Sequence, residues 1–123
     1  MNNRSLKHWK YQLTDNYTIK TNIRVRKAVK TDLITLLPSG MLTIGQYYAW
    51  DGATWAIDTK SFMRGSLVHD ALIQLINLEL LEDRHRKEAD KLLYQIALED
   101  GMWRVRAWWV YKALTLYRKV KEI

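Results

Sequence analysis

From about Thr59 or Ser61 to about Leu81 the chain carries apolar residues at Leu67, Val68, Ala71, Leu72, Leu75, Ile76 and Leu78. On a helix that turns about 100° per residue, this series wraps most of the circumference. Other elements must therefore cover the segment on several sides. Its one polar stripe, at spacings of three and four, is Ser66, Asp70, Gln74 and Asn77. A chain of 123 residues is expected to form one domain with one core. This helix predicts the centre of that core, and the rest of the chain has to supply its cover.

Ahead of the helix the pattern is short and β-like. Met1 to Lys10 is a polar arm with Arg4, Lys7, His8 and Lys10, in which Trp9 is the first residue expected to be anchored. Tyr11-Gln12-Leu13 and Tyr17-Thr18-Ile19-Lys20 flank Thr14-Asp15-Asn16, whose short polar side chains favour a turn, so the spacing predicts a β-hairpin. Ile23-Arg24-Val25-Arg26 alternates apolar and basic, the period of a half-buried strand with its basic side in water. Asp32 to Leu37 is a short apolar run stopped by Pro38-Ser39-Gly40, and Met41 to Trp50 reads as a strand interrupted at Gly45. Asp51-Gly52 then predicts a tight turn, because Gly accepts positive φ and Asp bonds the backbone two residues on.

Beyond the helix, Glu82 to Lys87 is charged, and Asp83 is placed to cap a second helix from about Arg84 to Glu99. Ala89, Leu92, Leu93, Ile96 and Ala97 form its core stripe, with Asp90 at the edge. Asp100-Gly101 breaks the pattern before a third helix from about Trp103 to Lys121. One of its sides carries Trp103, Ala107, Val110, Leu114 and Tyr117; another carries Arg104, Trp108, Tyr111, Thr115, Arg118 and Lys119. Strand-like runs followed by helical ones predict an α+β fold: a small antiparallel sheet from the N-terminal half packed on three C-terminal helices. The expected divisions are the arm at 1–10, a mainly β part at 11–58 and a mainly α part at 59–121.

Charge and composition narrow the chemistry. Twenty Lys and Arg against thirteen Asp and Glu give a net charge of +7, which attracts polyanions: nucleic acid, an anionic membrane face or an acidic protein. With no cysteine, a disulfide frame, a thiolate zinc site and a Cys nucleophile are all excluded. The polar, basic start lacks the apolar region of a signal peptide, and no run approaches the roughly 20 apolar residues of a membrane span, so a soluble domain is expected. Helix-turn-helix, RNA-recognition and zinc signatures are absent from the sequence, which leaves nucleic-acid binding resting on charge and tryptophans alone.

His69 and Asp70 are helix neighbours whose side chains diverge by about 100°, so each must serve a separate partner. His69 shares its face with Ile73 and Ile76, a desolvated setting expected to keep the imidazole neutral and able to accept a proton. Asp70, on the polar stripe, is expected to face a cation or the mouth of a cleft. If the second helix runs antiparallel to the first, Asp90 is the acid that reaches His69 and fixes its tautomer. The plainer readings stand beside these. His69 is a hydrogen-bonded core residue, Asp90 pairs with Arg86 one turn earlier, Asp51 only makes its turn, or a buried His bridging two acids pins the turn, the first helix and the second helix together. His8 and His85, in charged segments, are expected to be solvated. Trp103, Trp108 and Trp109 with Arg104, Arg106 and Lys112 suit stacking on single-stranded bases or seating in a membrane interface; the plain reading is core plus a solvated basic face.

His69-Asp70 together with Ala89-Asp90 resembles the active-site layout of small calcium-dependent secretory and parvoviral capsid phospholipases. That resemblance implies His69 as general base, Asp90 as its orienter, Asp70 as a calcium ligand, Asp51 with its turn carbonyls completing the calcium shell, and phospholipid as substrate. A longer stretch is similar to a domain-of-unknown-function family of small phage and prophage proteins. The matching elements are Asp51-Gly52-Ala53-Thr54, His69-Asp70-Ala71-Leu72, Arg86-Lys87-Glu88-Ala89-Asp90, Gly101 and Tyr111. This second resemblance implies a bacteriophage or prophage origin and a place in the host cytoplasm or the virion. Two functions are therefore expected. One is a metal-assisted ester or phosphoester hydrolase. The other is a non-catalytic accessory or virion-associated protein that binds a phage or host partner through its basic, Trp-rich surface.

Overall fold

The computed structural model describes residues 3–4, 11–50 and 60–121. Seven short strands precede three helices: β1 (Asn3–Arg4), β2 (Tyr11–Leu13), β3 (Tyr17–Lys20), β4 (Val29–Lys30), β5 (Ile34–Leu36), β6 (Met41–Ile44), β7 (Ala49–Trp50), α1 (Lys60–Asn77), α2 (Arg86–Glu99) and α3 (Arg104–Lys121). The class is α+β, as the order of patterns predicts, with the antiparallel part divided into two sheets, β1-β2-β7 and β3-β6-β5-β4.

Alternation along β5 and β6 sets the register of the larger sheet. Ile34 lies opposite Ile44 and Leu36 opposite Leu42, all four buried, while the intervening Thr35 and Thr43 face each other on the other side of the sheet. Gly40 turns this hairpin at φ +95°, and any side chain there would collide with the Thr21 carbonyl oxygen. Thr21 is held to the same turn, its amide and hydroxyl both donating to the Gly40 carbonyl at 2.8 and 2.7 Å.

Gly45 is where the long apolar run breaks, as expected. Between Gly45 and Tyr48 the chain leaves one sheet for the other, with Tyr47 in the left-handed region at φ 78°. The expected hairpin of residues 11–20 is not formed: β2 pairs with β1 and β7, and β3 pairs with β6. Asp15-Asn16 instead marks a crossing between sheets, anchored where the Gln46 amide donates to Asn16 Oδ1 at 2.7 Å. Ile23 to Arg26 keeps its alternation, with Ile23 buried and Arg24 and Arg26 exposed, but joins no ladder.

α1 lies at the centre. Its residues Leu67, Val68, Ala71, Leu72, Leu75 and Ile76 share one core with Leu13, Ile23, Ile34, Leu36, Leu42, Ile44 and Trp50 from the β part and with Ala89 and Ile96 of α2. Ser66, on the nominally polar stripe, is buried because its hydroxyl accepts from the Trp50 indole at 3.0 Å. The helix ends at Asn77, four residues before Leu81. Glu79 adopts φ 62°, its amide bonding the Ile76 carbonyl and that of Leu80 bonding Leu75, the paired closure of a Schellman motif. Asp83 makes no capping bond; it sits in a single 3-10 turn, Asp83–His85, and accepts from Arg86 Nε at 2.6 Å.

α3 packs on α2 through a separate small cluster of Leu93, Ala97, Met102, Ala107 and Val110. Trp103, expected in that core, lies outside it on the surface. The Asp51-Gly52 turn, Trp9 and His8 fall outside the described residues, as does the side chain of Tyr117.

Candidate functional site

α1 and α2 run antiparallel, and Gly65 permits the close approach: a Cβ there would stand 2.6 Å from Leu93 Cδ1. Further along the same seam, Arg86 Nη2 donates to Asn77 Oδ1 at 3.0 Å. Between these points His69 meets Asp90, with Nε2 and Oδ1 2.7 Å apart and the ring N–H donating. The two side chains are largely enclosed, at 13% and 6% exposure. Arg86, the sequence alternative's partner for Asp90, donates to Asp83 and Asn77, while Asp90 bonds His69 across the seam.

Asp70 Oδ1 stands 4.0 Å from His69 Nδ1, beyond hydrogen-bonding reach but close enough for its charge to act on the ring. Burial alone pulls the imidazole pKa down; the carboxylates of Asp70 and Asp90 push it up by more, and the net is above 6.5. This overturns the expectation that desolvation keeps His69 neutral. Two acids on either side of the ring outweigh the apolar surroundings and favour the imidazolium.

Asp70 also borders a cleft of about 270 Å³ with Tyr48, Trp50, Ile73, Gln74 and Asn77. The Tyr48 hydroxyl donates to Gln74 Oε1 at 3.0 Å, and burial first, then the Asp70 charge, holds that phenol well above its ordinary pKa. The cleft wall includes Asp70 but neither His69 nor Asp90. Calcium takes about six to eight oxygen ligands. Among the described residues, Asp70 is the one carboxylate on this wall, and no group of three or more His, Asp or Glu side chains is arranged to hold a metal. The described side chains alone therefore do not compose a calcium shell. Asp51, the second expected ligand, lies outside them.

Two residues escaped the sequence reading. Arg64 gathers the ends of three elements: Nε and Nη2 donate to Asp100, Nη2 also to Glu99 at 2.8 Å, and Nη1 to the Tyr17 hydroxyl at 2.9 Å. These bonds, led by Asp100, raise its pKa beyond the ordinary guanidinium value against the opposing effect of burial. Its signal was available, since an antiparallel α2 that sets Asp90 against His69 also brings Glu99-Asp100 to Arg64. His85, expected in water with its charged neighbours, is buried instead.

The third feature is the outer side of α3. Trp103 is 83% exposed, Val105 69%, Leu116 64%, Trp109 62% and Trp108 44%. Val105, Trp109 and Leu116 fall within about 40° of one another around the helix, on the side opposite Ala107 and Val110. Trp108 and Trp109 meet edge to face with centroids 5.0 Å apart, and Lys112 Nζ lies 5.5 Å from the Trp108 ring. Arg104 and Lys112 are exposed and Arg106 is half-buried, so cations border the apolar strip.

Among the described residues no helix is long and apolar enough to cross a membrane. No protein-family model, no curated protein and no solved structure matches the chain. Fold and geometry define the class: a small, basic α+β protein whose first two helices are joined by an enclosed His–Asp pair and whose third helix is apolar on two sides.

Proposed function

We propose that this chain is a non-catalytic docking protein that seats the outer side of α3 on an anionic membrane surface, with His69, Asp70 and Asp90 serving to hold α1 against α2. The supporting observation is the exposure of four large apolar side chains on α3, with Trp103 just ahead of it, while the opposite side of the helix is already packed. A helix apolar on both sides is a helix meant to be covered on both. Arg104, Arg106 and Lys112 oppose pairing with a second, identical basic face and complement anionic headgroups. Indole rings suit the headgroup level, and Lys and Arg stems lie along apolar surface while their charges stay in water. In a phage or prophage setting, the docking surface is the inner face of the host membrane, where anionic lipid is concentrated.

Vesicle co-sedimentation tests this reading. Binding is expected to anionic vesicles and to fall sharply on neutral ones. Each surface cation contributes about 1 kcal/mol, so Arg104→Gln with Lys112→Gln should weaken binding about 30-fold. Equal binding to neutral vesicles, or none to anionic ones, ends the proposal.

A second reading is favoured by one observation, the 2.7 Å bond from His69 Nε2 to a buried Asp90. In a hydrolase, that bond leaves Nδ1 as the base. The attacking water would give its proton to Nδ1 as its oxygen bonds the ester carbonyl or phosphorus, and Nδ1 would return the proton to the departing alkoxide. Activity would then rise with pH through the elevated His69 pKa and disappear in His69→Ala. An inert wild-type protein, with model esters and phospholipid and with or without calcium, removes this reading.

A further inference from the structure

Between Arg24 and Val29 the chain runs without a ladder until Val29 enters β4, its course set by which side chains the core takes. Val25 and Val29 pack inward, so Arg24, Arg26 and Lys27 are turned outward. Across from them stands the connection that closes α1, ending in Arg84 and His85. The two segments, far apart in sequence, form the walls of a groove of about 650 Å³ floored by Val25, Val29, Leu80 and Leu81. Its volume lies in the range of small-molecule sites.

The groove is cationic. Arg24, Arg26, Lys27 and Arg84 stand on its walls against one carboxylate, Glu82. Two of the guanidiniums are steadied: Arg24 Nη1 donates to the Ser39 carbonyl at 2.7 Å, and Arg84 Nε to Glu82 at 3.3 Å. His85 is buried in the wall, where burial and then the Arg84 charge lower its pKa, outweighing the opposing Glu82 and Glu88. Its ring is thus a neutral donor or acceptor among fixed positive charges. Four cations lining one groove from two segments favour an anion between them, and guanidinium forks match the oxygens of a phosphate group. The apolar floor leaves room for more than the phosphate.

We propose that this groove binds a small phosphorylated molecule with a flat or apolar body, the chemical class of a mononucleotide. Arg26, Lys27 and Arg84 take the phosphate, and Val25, Val29 and Leu80 take the body. The site is separate from the exposed side of α3, and its test is separate as well.

Titration calorimetry with adenosine monophosphate, adenosine, inorganic phosphate and a single-stranded oligonucleotide reads the proposal out directly. The monophosphate is expected to bind about tenfold or more tightly than either adenosine or inorganic phosphate. Arg26→Glu with Lys27→Glu, both solvent-facing, should remove at least about tenfold of that affinity, and Arg84→Gln on the opposite wall should weaken it independently. Circular dichroism confirms that each variant is folded, and vesicle binding should be unchanged in both. The assignment is overturned if no probe binds or adenosine binds as well as its monophosphate. It is equally overturned if wall variants on both segments bind like wild type, or if an oligonucleotide binds more tightly in proportion to its length, which would make the groove part of a nucleic-acid track.

Discussion

Replacing Asp90 with Asn keeps the shape of the side chain and removes the charge that faces His69. The cost is set by the geometry: a 2.7 Å bond between groups whose exposures are 13% and 6%. A hydrogen bond to a charged partner contributes about 1.5 to 3 kcal/mol, and loss of one member of a fully buried ion pair costs about 3 to 5. Here the ring is not wholly sealed and Asp70 still attracts it from 4.0 Å, which places Asp90→Asn near the lower range, about 2 to 3 kcal/mol. For a domain of this size each kcal/mol moves Tm by about 3 to 5 °C, so thermal melts should shift down by about 6 to 15 °C. The pH dependence carries a sign. Because the folded His69 pKa lies above its unfolded value of 6.5, the contribution is complete below 6.5 and disappears as pH rises through the folded pKa. Wild type should therefore lose part of its stability as pH rises from below 6.5 through the folded His69 pKa, and Asp90→Asn should lose less over the same rise. Urea melts across that rise measure the difference. A variant that melts with wild type, or an unchanged pH slope, would refute the argument that this pair holds the two helices together.

Gly40→Ala forces a side chain into the left-handed region and onto the Thr21 carbonyl, and should cost about 2 to 3 kcal/mol in a chemical melt. Arg64→Ala, which unties Glu99, Asp100 and Tyr17, should cost about 1 to 2 kcal/mol; Arg64→Lys should recover little of it, because an ammonium cannot reproduce the fork. Trp109→Ser should leave the melt within about 0.5 kcal/mol of wild type while weakening vesicle binding, a separation that a structural role for this ring would not produce.

Much of the α half was legible because a 3.6-residue period is a local property of sequence. Leu67 to Ile76 and Ala89 to Ile96 gave both helices and the sides they bury, and an antiparallel arrangement then placed Asp90 against His69. The boundary at Asn77 was not legible, since Leu78, Leu80 and Leu81 continue the apolar pattern and only Glu79 in a left-handed conformation stops it. Strand pairing failed for a different reason. Tyr11 to Lys20 has the composition of a hairpin, yet β2 pairs with β1 and with the distant β7, and β3 with the distant β6; pairing more than 20 residues along the chain leaves no local trace. The upward pull on the His69 pKa was not legible because neighbouring apolar residues are visible in the sequence, whereas the combined field of Asp70 and Asp90 exists only once the helices are packed. The burial of His85 was not legible either, because its neighbours in sequence are charged.

Among the described residues, the cluster that holds α3 against α2 is built from few buried side chains: Leu93, Ala97, Met102, Ala107 and Val110. Opening it leaves the larger core intact, so native-state amide exchange should divide the chain into two cooperative units. Protons on α3 should be lost first, at a free energy well below that of α1. The last helix is thus the portion of the molecule best able to peel away and settle on a new support while the remainder stays folded.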